Sequence, residues 1–119
     1  MIINSINNLP ESITRLEFGN DFNQKIDDLP NLLTYLSLGD KFNHKIKNLN
    51  CLKYLILGRD FDHSLNRLSN SITHLILHHR YNKQIIKFPE NLTNLWCSRT
   101  FFRNNKTLIE SKNIKINEF

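Results

Sequence analysis

Histidine and cysteine are the residues of this chain whose types could hold a metal ion. The sequence contains five histidines and two cysteines. His44 and His63 occupy equivalent positions of adjacent sequence repeats, which would bring their Cα atoms within about 6 Å of each other. A stable zinc site needs three or four ligands, and neither Cys51 nor Cys97 falls beside this pair. We therefore expect no metal site and no cofactor.

Catalytic motifs are the second kind of chemistry to consider. The sequence contains no glycine-rich phosphate loop, no HExxH motif and no GxSxG motif, and its Ser, His and Asp residues are scattered. Cys51 and Cys97 lie more than two repeats apart, about 10 Å in stacked coils, whereas a disulfide needs Cα atoms within about 7 Å. We expect free thiols, as in a reducing compartment, and no enzymatic activity.

The strongest pattern is a repeat of about twenty residues, whose copies start at Leu9, Leu29, Leu49, Leu68 and Phe88. Each copy contains a step of two apolar residues around one other residue, such as Leu16-Glu17-Phe18, and this alternation predicts a short strand. The predicted strands are Arg15–Phe18, Tyr35–Leu38, Tyr54–Leu57, His74–Leu77 and Asn94–Cys97. Stacked in register, these strands form one parallel sheet.

The fold class predicted from this repeat is a mainly β solenoid, with coils like those of leucine-rich repeats. Each coil of about twenty residues carries one short parallel strand, and turns or 3₁₀ segments form its other side. Too few residues separate successive strands for a proper helix. We expect a single solenoid over residues 1–119, without a linker or second domain. Its predicted parts are a partial coil 1–8, full repeats 9–28, 29–48, 49–67, 68–87 and 88–107, and a degenerate coil 108–119.

Besides the leucines, two further sets of residues recur at equivalent positions of the copies, one aromatic column and one polar column. We expect one to be a buried aromatic spine rather than a platform for nucleic-acid bases. It comprises Phe22, Phe42, Phe61, Tyr81 and Phe101. The other should satisfy turn backbone groups and bond between successive coils. It comprises Asn23, Asn43, Asp62 and Asn82.

The amino-acid sequence of the copies identifies a repeat type more specifically than their spacing does. LPESITRLEFGNDFNQKI and LPNLLTYLSLGDKFNHKI resemble the FNIP repeat family, a divergent relative of leucine-rich repeats, and the resemblance covers roughly residues 1–105. The later copies depart from it, with Asp62 in place of Asn and Ser69 in place of Pro. The resemblance implies a protein–protein interaction module.

The outward strand positions are the candidate binding site. Because the leucines of each strand point inward, their neighbours line the open face of the sheet. These neighbours are apolar or aromatic in the second to fifth coils, and exposed apolar patches favour interfaces. The candidate protein-binding residues are Tyr35, Tyr54, Ile56, His74, Ile76 and Trp96.

A basic rim is predicted beside this face, directly after the strands. It comprises Arg59, His79, Arg80 and Arg99. The net charge of +5 falls entirely in residues 59–119, which hold ten Lys/Arg and five Asp/Glu. Such a rim could steer a protein partner with an acidic patch. It could also contact phosphates.

Two functions follow from these features. The preferred one is a non-catalytic module that binds an unidentified protein through the open face. The alternative is a nucleic-acid-binding solenoid that stacks bases on its aromatic residues and contacts phosphates with its arginines. The sequence contains no run of about eighteen apolar residues and no signal-peptide pattern. We therefore expect an intracellular, cytoplasmic monomer without membrane contact.

Overall fold

Seven short strands and one helix make up the architecture of the computed structural model, which describes residues 2–47 and 49–117. The strands are β1 (Ile2–Ile3), β2 (Arg15–Phe18), β3 (Tyr35–Ser37), β4 (Tyr54–Ile56), β5 (His74–Ile76), β6 (Asn94–Trp96) and β7 (Lys115–Asn117). They form one sheet in sequence order, and every neighbouring pair is parallel. The predicted parallel solenoid is confirmed.

The register of the sheet is set by the leucine columns. Leu36 pairs with Leu55, Leu55 with Leu75, and Leu75 with Leu95. Each of these four side chains is 0% exposed. A shift of one residue would turn them all to solvent, so their burial fixes the alignment of the coils.

The aromatic spine is buried, as the sequence predicted. Successive ring centroids lie 6.0 Å apart for Phe22 and Phe42, 6.3 Å for Phe42 and Phe61, and 5.9 Å for Phe61 and Tyr81. Phe101 continues the column, 5.8 Å from Tyr81. The Tyr81 hydroxyl donates to the His63 carbonyl oxygen at 2.7 Å, so the one polar ring also has a hydrogen-bond partner.

Polar side chains join successive coils next to the spine. Asn23 Oδ1 accepts from the Asn43 backbone N–H at 2.9 Å, and Asn43 Oδ1 accepts from that of Asp62 at 3.0 Å. In this way the side chain of one coil satisfies the turn of the next. The expected role of this column is seen directly for the side chains of Asn23 and Asn43.

Glycines allow the turns after the first strands to approach closely. A Cβ atom added to Gly39 would lie 2.7 Å from Asn20 Cα, and one added to Gly58 would lie 2.6 Å from the Gly39 carbonyl oxygen. Backbone atoms cannot move aside as a flexible side chain can. Glycine therefore suits the close approach of the neighbouring backbone at these two positions, whereas the later coils carry His78 and Ser98 at the equivalent place.

The helix α1 (Arg99–Ser111) was not predicted from the sequence. Ser98 caps it, since its Oγ accepts from the Phe101 backbone N–H at 3.0 Å. Asn105 interrupts its helical geometry with φ −124° and ψ 16°. The last coils thus contain a helix where turns or 3₁₀ segments were expected, although Phe101 keeps its place in the spine.

The expected coil boundaries stay a prediction. Residues 1, 48, 118 and 119, which belong to three of the proposed coils, lie outside the described residues. In the expected degenerate coil 108–119, the end of α1 and β7 occupy the described part. Across 2–47 and 49–117, no helix is both long and apolar enough to cross a membrane.

Candidate functional site

An aromatic ladder runs across the open face of the sheet. Tyr35 and Tyr54 have ring centroids 6.1 Å apart, Tyr54 stacks on His74 at 4.2 Å, and His74 lies 6.1 Å from Trp96. The parallel register of β3 to β6 places these four residues on successive strands. We use the name aromatic ladder for Tyr35, Tyr54, His74 and Trp96. All four are among the residues proposed from the sequence, and the structure brings them together.

The ladder crosses from one row of outward positions to the other. Tyr35, Tyr54 and His74 share a register position, whereas Trp96 pairs with Ile76 in the neighbouring row. Ile56 and Ile76 are half-buried beside the ladder. Tyr54 is the ladder residue with the greatest exposure, at 40%. The face is less exposed than the sequence suggested, because its side chains cover one another.

A hydrogen bond orients the central ring of the ladder. Thr73 Oγ1 lies 2.8 Å from His74 Nδ1, and it donates its hydroxyl proton to the Lys53 carbonyl oxygen at 3.2 Å. Which of the two atoms donates in the Thr73–His74 contact depends on the tautomer of the His74 ring. Thr93 and Asn94 repeat the arrangement one coil later, where Asn94 Nδ2 donates to Thr93 Oγ1 at 3.0 Å.

An ion pair lies at the Tyr35 end of the aromatic ladder. The Arg15 guanidinium lies 3.7 Å from the centroid of the Tyr35 ring, in a cation–π contact. The same group donates to Glu17 Oε1 at 2.9 Å. Charge at this end is therefore balanced locally, and the apolar character of the face increases toward β4, β5 and β6.

The predicted basic rim divides into a paired and a more open part. Arg59 Nε donates to Asp60 Oδ1 at 3.0 Å, and this bond is the main reason that the pKa of Asp60 is lowered. His78 and His79 have ring centroids 4.0 Å apart. Burial is the main reason that the pKa of His78 is lowered, and the charges of His79 and Arg80 add to this effect. No ion pair forms at Arg80 or Arg99 within the described residues.

A depression lies at the carboxyl ends of the last strands, against the start of α1. Its volume is about 590 Å³. It is lined by His79, Cys97, Ser98, Arg99, Phe102, Ile116 and Asn117. Sequence reasoning placed His79 and Arg99 in the rim but missed Phe102 and Ile116. Phe102 lies in α1 and Ile116 lies in β7, and the repeat pattern did not predict where these two elements begin and end.

The other reactive side chains are occupied by structural contacts. His44 Nε2 lies 3.2 Å from the Asn23 carbonyl oxygen, and His63 Nε2 lies 3.1 Å from that of Asn43. Burial raises the pKa of the Cys97 thiol to about 11, so it is protonated near neutral pH. Across the described ranges 2–47 and 49–117, no three His, Cys, Asp or Glu residues are grouped so that they could hold a metal ion.

The family model for the FNIP repeat matches residues 5–28 and 22–51. Residues 5–51 are thus similar to FNIP repeats. No curated protein matches the chain. Among solved structures, the crystal structure of CroV588, a novel circular LRR protein, superimposes with a TM-score of 0.72. The two are 38% identical, and the match covers 84% of this chain and 16% of CroV588. The chain therefore resembles FNIP repeats over residues 5–51 and has a leucine-rich-repeat-like fold, and it spans a small part of the length of CroV588.

Proposed function

We propose that this FNIP-repeat chain is a non-catalytic interaction module that binds a protein through the open face of its sheet. The aromatic ladder is the observation that carries this proposal. Tyr and Trp supply large, stiff contact areas and are frequent at the energetic centres of interfaces. FNIP and leucine-rich repeats are typically interaction modules, which supports a protein rather than a small substrate as the ligand.

The charge distribution indicates which partner surface would be favoured. Between residues 63 and 117 there are nine Lys/Arg and only two acidic residues, Glu90 and Glu110. This part of the chain contributes β5, β6 and β7. A partner with an acidic patch would gain both an increased association rate and a preferred orientation there. We propose that the module acts as a monomer in the cytoplasm.

The proposed interface is tested by capture with matched variants. The immobilised chain is exposed to a lysate of its native cells, and bound proteins are quantified by mass spectrometry. A Tyr54→Ala, Trp96→Ala double variant should lose the specific partner. An Ile86→Ala variant, which truncates a side chain that is 81% exposed elsewhere on the chain, should retain it. Equal capture by both variants would show that the open face is not the interface.

The nucleic-acid alternative predicts a different result. If RNA or DNA were the ligand, affinity would fall by orders of magnitude as salt rises. Binding releases counterions from the phosphates, and this release becomes less favourable at high salt. A protein held by the aromatic ladder should show a much weaker dependence on salt, since apolar contacts are not screened. Nuclease treatment of the lysate before capture separates the two functions.

A further inference from the structure

The depression beside α1 combines an apolar lining with a basic edge. Cys97 is buried, and Phe102 and Ile116 are half-buried, so the apolar part lies deeper than the charges. His79 and Arg99 are exposed and belong to the same lining. Among the residues that the structure describes, none of those lining it is acidic. An apolar side chain flanked by carboxylates would match both features of this place.

The position of Arg99 is unfavourable for the helix that contains it. Arg99 is the first residue of α1, and the first turn holds no acidic residue. Helix N-termini carry partial positive charge and favour anions, so a cation there opposes the helix dipole. No carboxylate pairs with the Arg99 guanidinium in the described part of the chain. The Arg99 guanidinium and the partial positive charge of the helix N-terminus are therefore both available to an external anion.

We propose that the depression is the anchor site for an acidic peptide segment of the protein partner. One apolar side chain of that segment, aromatic or large aliphatic, packs against Phe102, Ile116 and Cys97. Its neighbouring carboxylates bind Arg99 and His79. This inference rests on the proposed function and adds to it the place and the chemistry of the anchor. Since Trp96 pairs with Asn117, which lines the depression, the bound segment would continue onto the aromatic ladder.

The test uses three capped synthetic peptides as probes. In the first, Asp and Glu residues flank one phenylalanine. In the second, serine replaces the phenylalanine, and in the third, Asn and Gln replace the acidic residues. Fluorescence anisotropy should detect binding of the first peptide, with affinity at least about tenfold lower for each of the others. Amide NMR shifts should be largest at Cys97, Ser98, Phe102 and Ile116. Equal binding of the first two peptides would overturn the proposal.

A pair of charge reversals separates this site from general electrostatic attraction. Arg99→Glu and Arg103→Glu change the net charge equally, and both residues are exposed on α1. Only Arg99 lines the depression. Arg99→Glu should weaken the first peptide by at least about tenfold. It should also raise the melting temperature, because a carboxylate suits the helix start. Arg103→Glu should change peptide affinity much less. Equal losses would contradict the proposal.

Two further outcomes identify a different occupant or a different site. Residues 118 and 119 follow Asn117 directly, and they are an acidic and an aromatic residue. If the peptide binds only after these two residues are deleted, they compete for the depression and a partner segment is not its occupant. If no peptide binds, but the Tyr54→Ala, Trp96→Ala variant still loses its captured protein, the anchor proposal fails and the proposed function stands.

Discussion

At the scale of single residues, the column of aromatic rings packs each coil of this fold against the next. Phe61 is 4% exposed and contacts the rings of both neighbouring coils. Because each coil buries only one side against its neighbours, the loss of one ring removes contacts from two interfaces at once. Stability in such a solenoid should therefore be sensitive to the spine and tolerant of the outer surface.

Phe61→Ala tests this sensitivity. The substitution should reduce the free energy of unfolding by about 3–5 kcal/mol, the usual cost of truncating a buried phenylalanine. That is a large part of the roughly 5–15 kcal/mol that stabilises a typical domain. Urea denaturation measures the change, with Ile86→Ala as the exposed control. A loss below about 1 kcal/mol would mean that the ring is not buried in solution.

The second prediction at this scale concerns the buried amide of Asn105. Its Oδ1 accepts from the Ile85 backbone N–H at 2.8 Å, and its Nδ2 donates to the Phe101 carbonyl oxygen at 3.0 Å. Asn105→Ala leaves the Ile85 N–H without that partner, which should cost about 1–3 kcal/mol. Asn104→Ala, in the same helix but exposed, gains helix propensity without losing these bonds. Chemical denaturation should show that Asn105→Ala is less stable than Asn104→Ala. Equal stabilities would contradict the role of Asn105.

At the scale of elements, the strands were predictable and the helix was not. The inward leucines recur in phase, so the strands β2 to β6 start where the sequence predicted. The helix escaped prediction because Phe101 fills the spine position that every coil requires. The spacing of Phe101 from the preceding spine rings is therefore the same whether this residue lies in a turn or in a helix. Asn105 stands four residues after its spine ring, where the earlier coils have Ile26, Ile46, Leu65 and Ile85. Only the structure shows that its amide forms a hydrogen bond to the preceding coil.

The turns between elements are expected to depend on coil spacing. Gly39→Ala places a Cβ atom against the backbone of Asn20, whereas Gly19→Ala meets the side chain of Asn4, which can rotate away. Gly39→Ala should therefore destabilise the chain clearly more than Gly19→Ala does, although both substitutions add the same methyl group. Thermal unfolding followed by circular dichroism compares them. Equal shifts would show that the coils can separate at little cost.

At the scale of the whole molecule, the open face of the sheet combines predictable and unpredictable features. Strand alternation predicted which residues point outward, since that depends only on the period of two. It did not predict that the ladder crosses from the row of His74 to that of Trp96, because this depends on side-chain rotamers. Nor did it predict the depression beside α1, since that feature requires the helix. The sequence thus identified the face, while the structure showed its internal contacts.

The uneven charge of the molecule should influence how quickly a partner associates. Residues 63–117 hold nine Lys/Arg and two acidic residues. Arg80→Glu should therefore slow association with an acidic partner at low salt, with little effect at high salt where exposed charges are screened. Stopped-flow association rates measured over a range of salt concentrations test this effect. An unchanged rate at low salt would exclude steering by this part of the chain.

The affinity of the captured protein for the Trp96→Ala variant tests the central claim most directly. Trp96 is half-buried on the open face, so its removal should alter the fold little while removing a main contact of the interface. Isothermal titration calorimetry should show a loss of about 2 kcal/mol or more, roughly a thirtyfold rise in Kd. The melting temperature should remain close to that of the wild type. An unchanged Kd in a folded variant would contradict binding through the aromatic ladder.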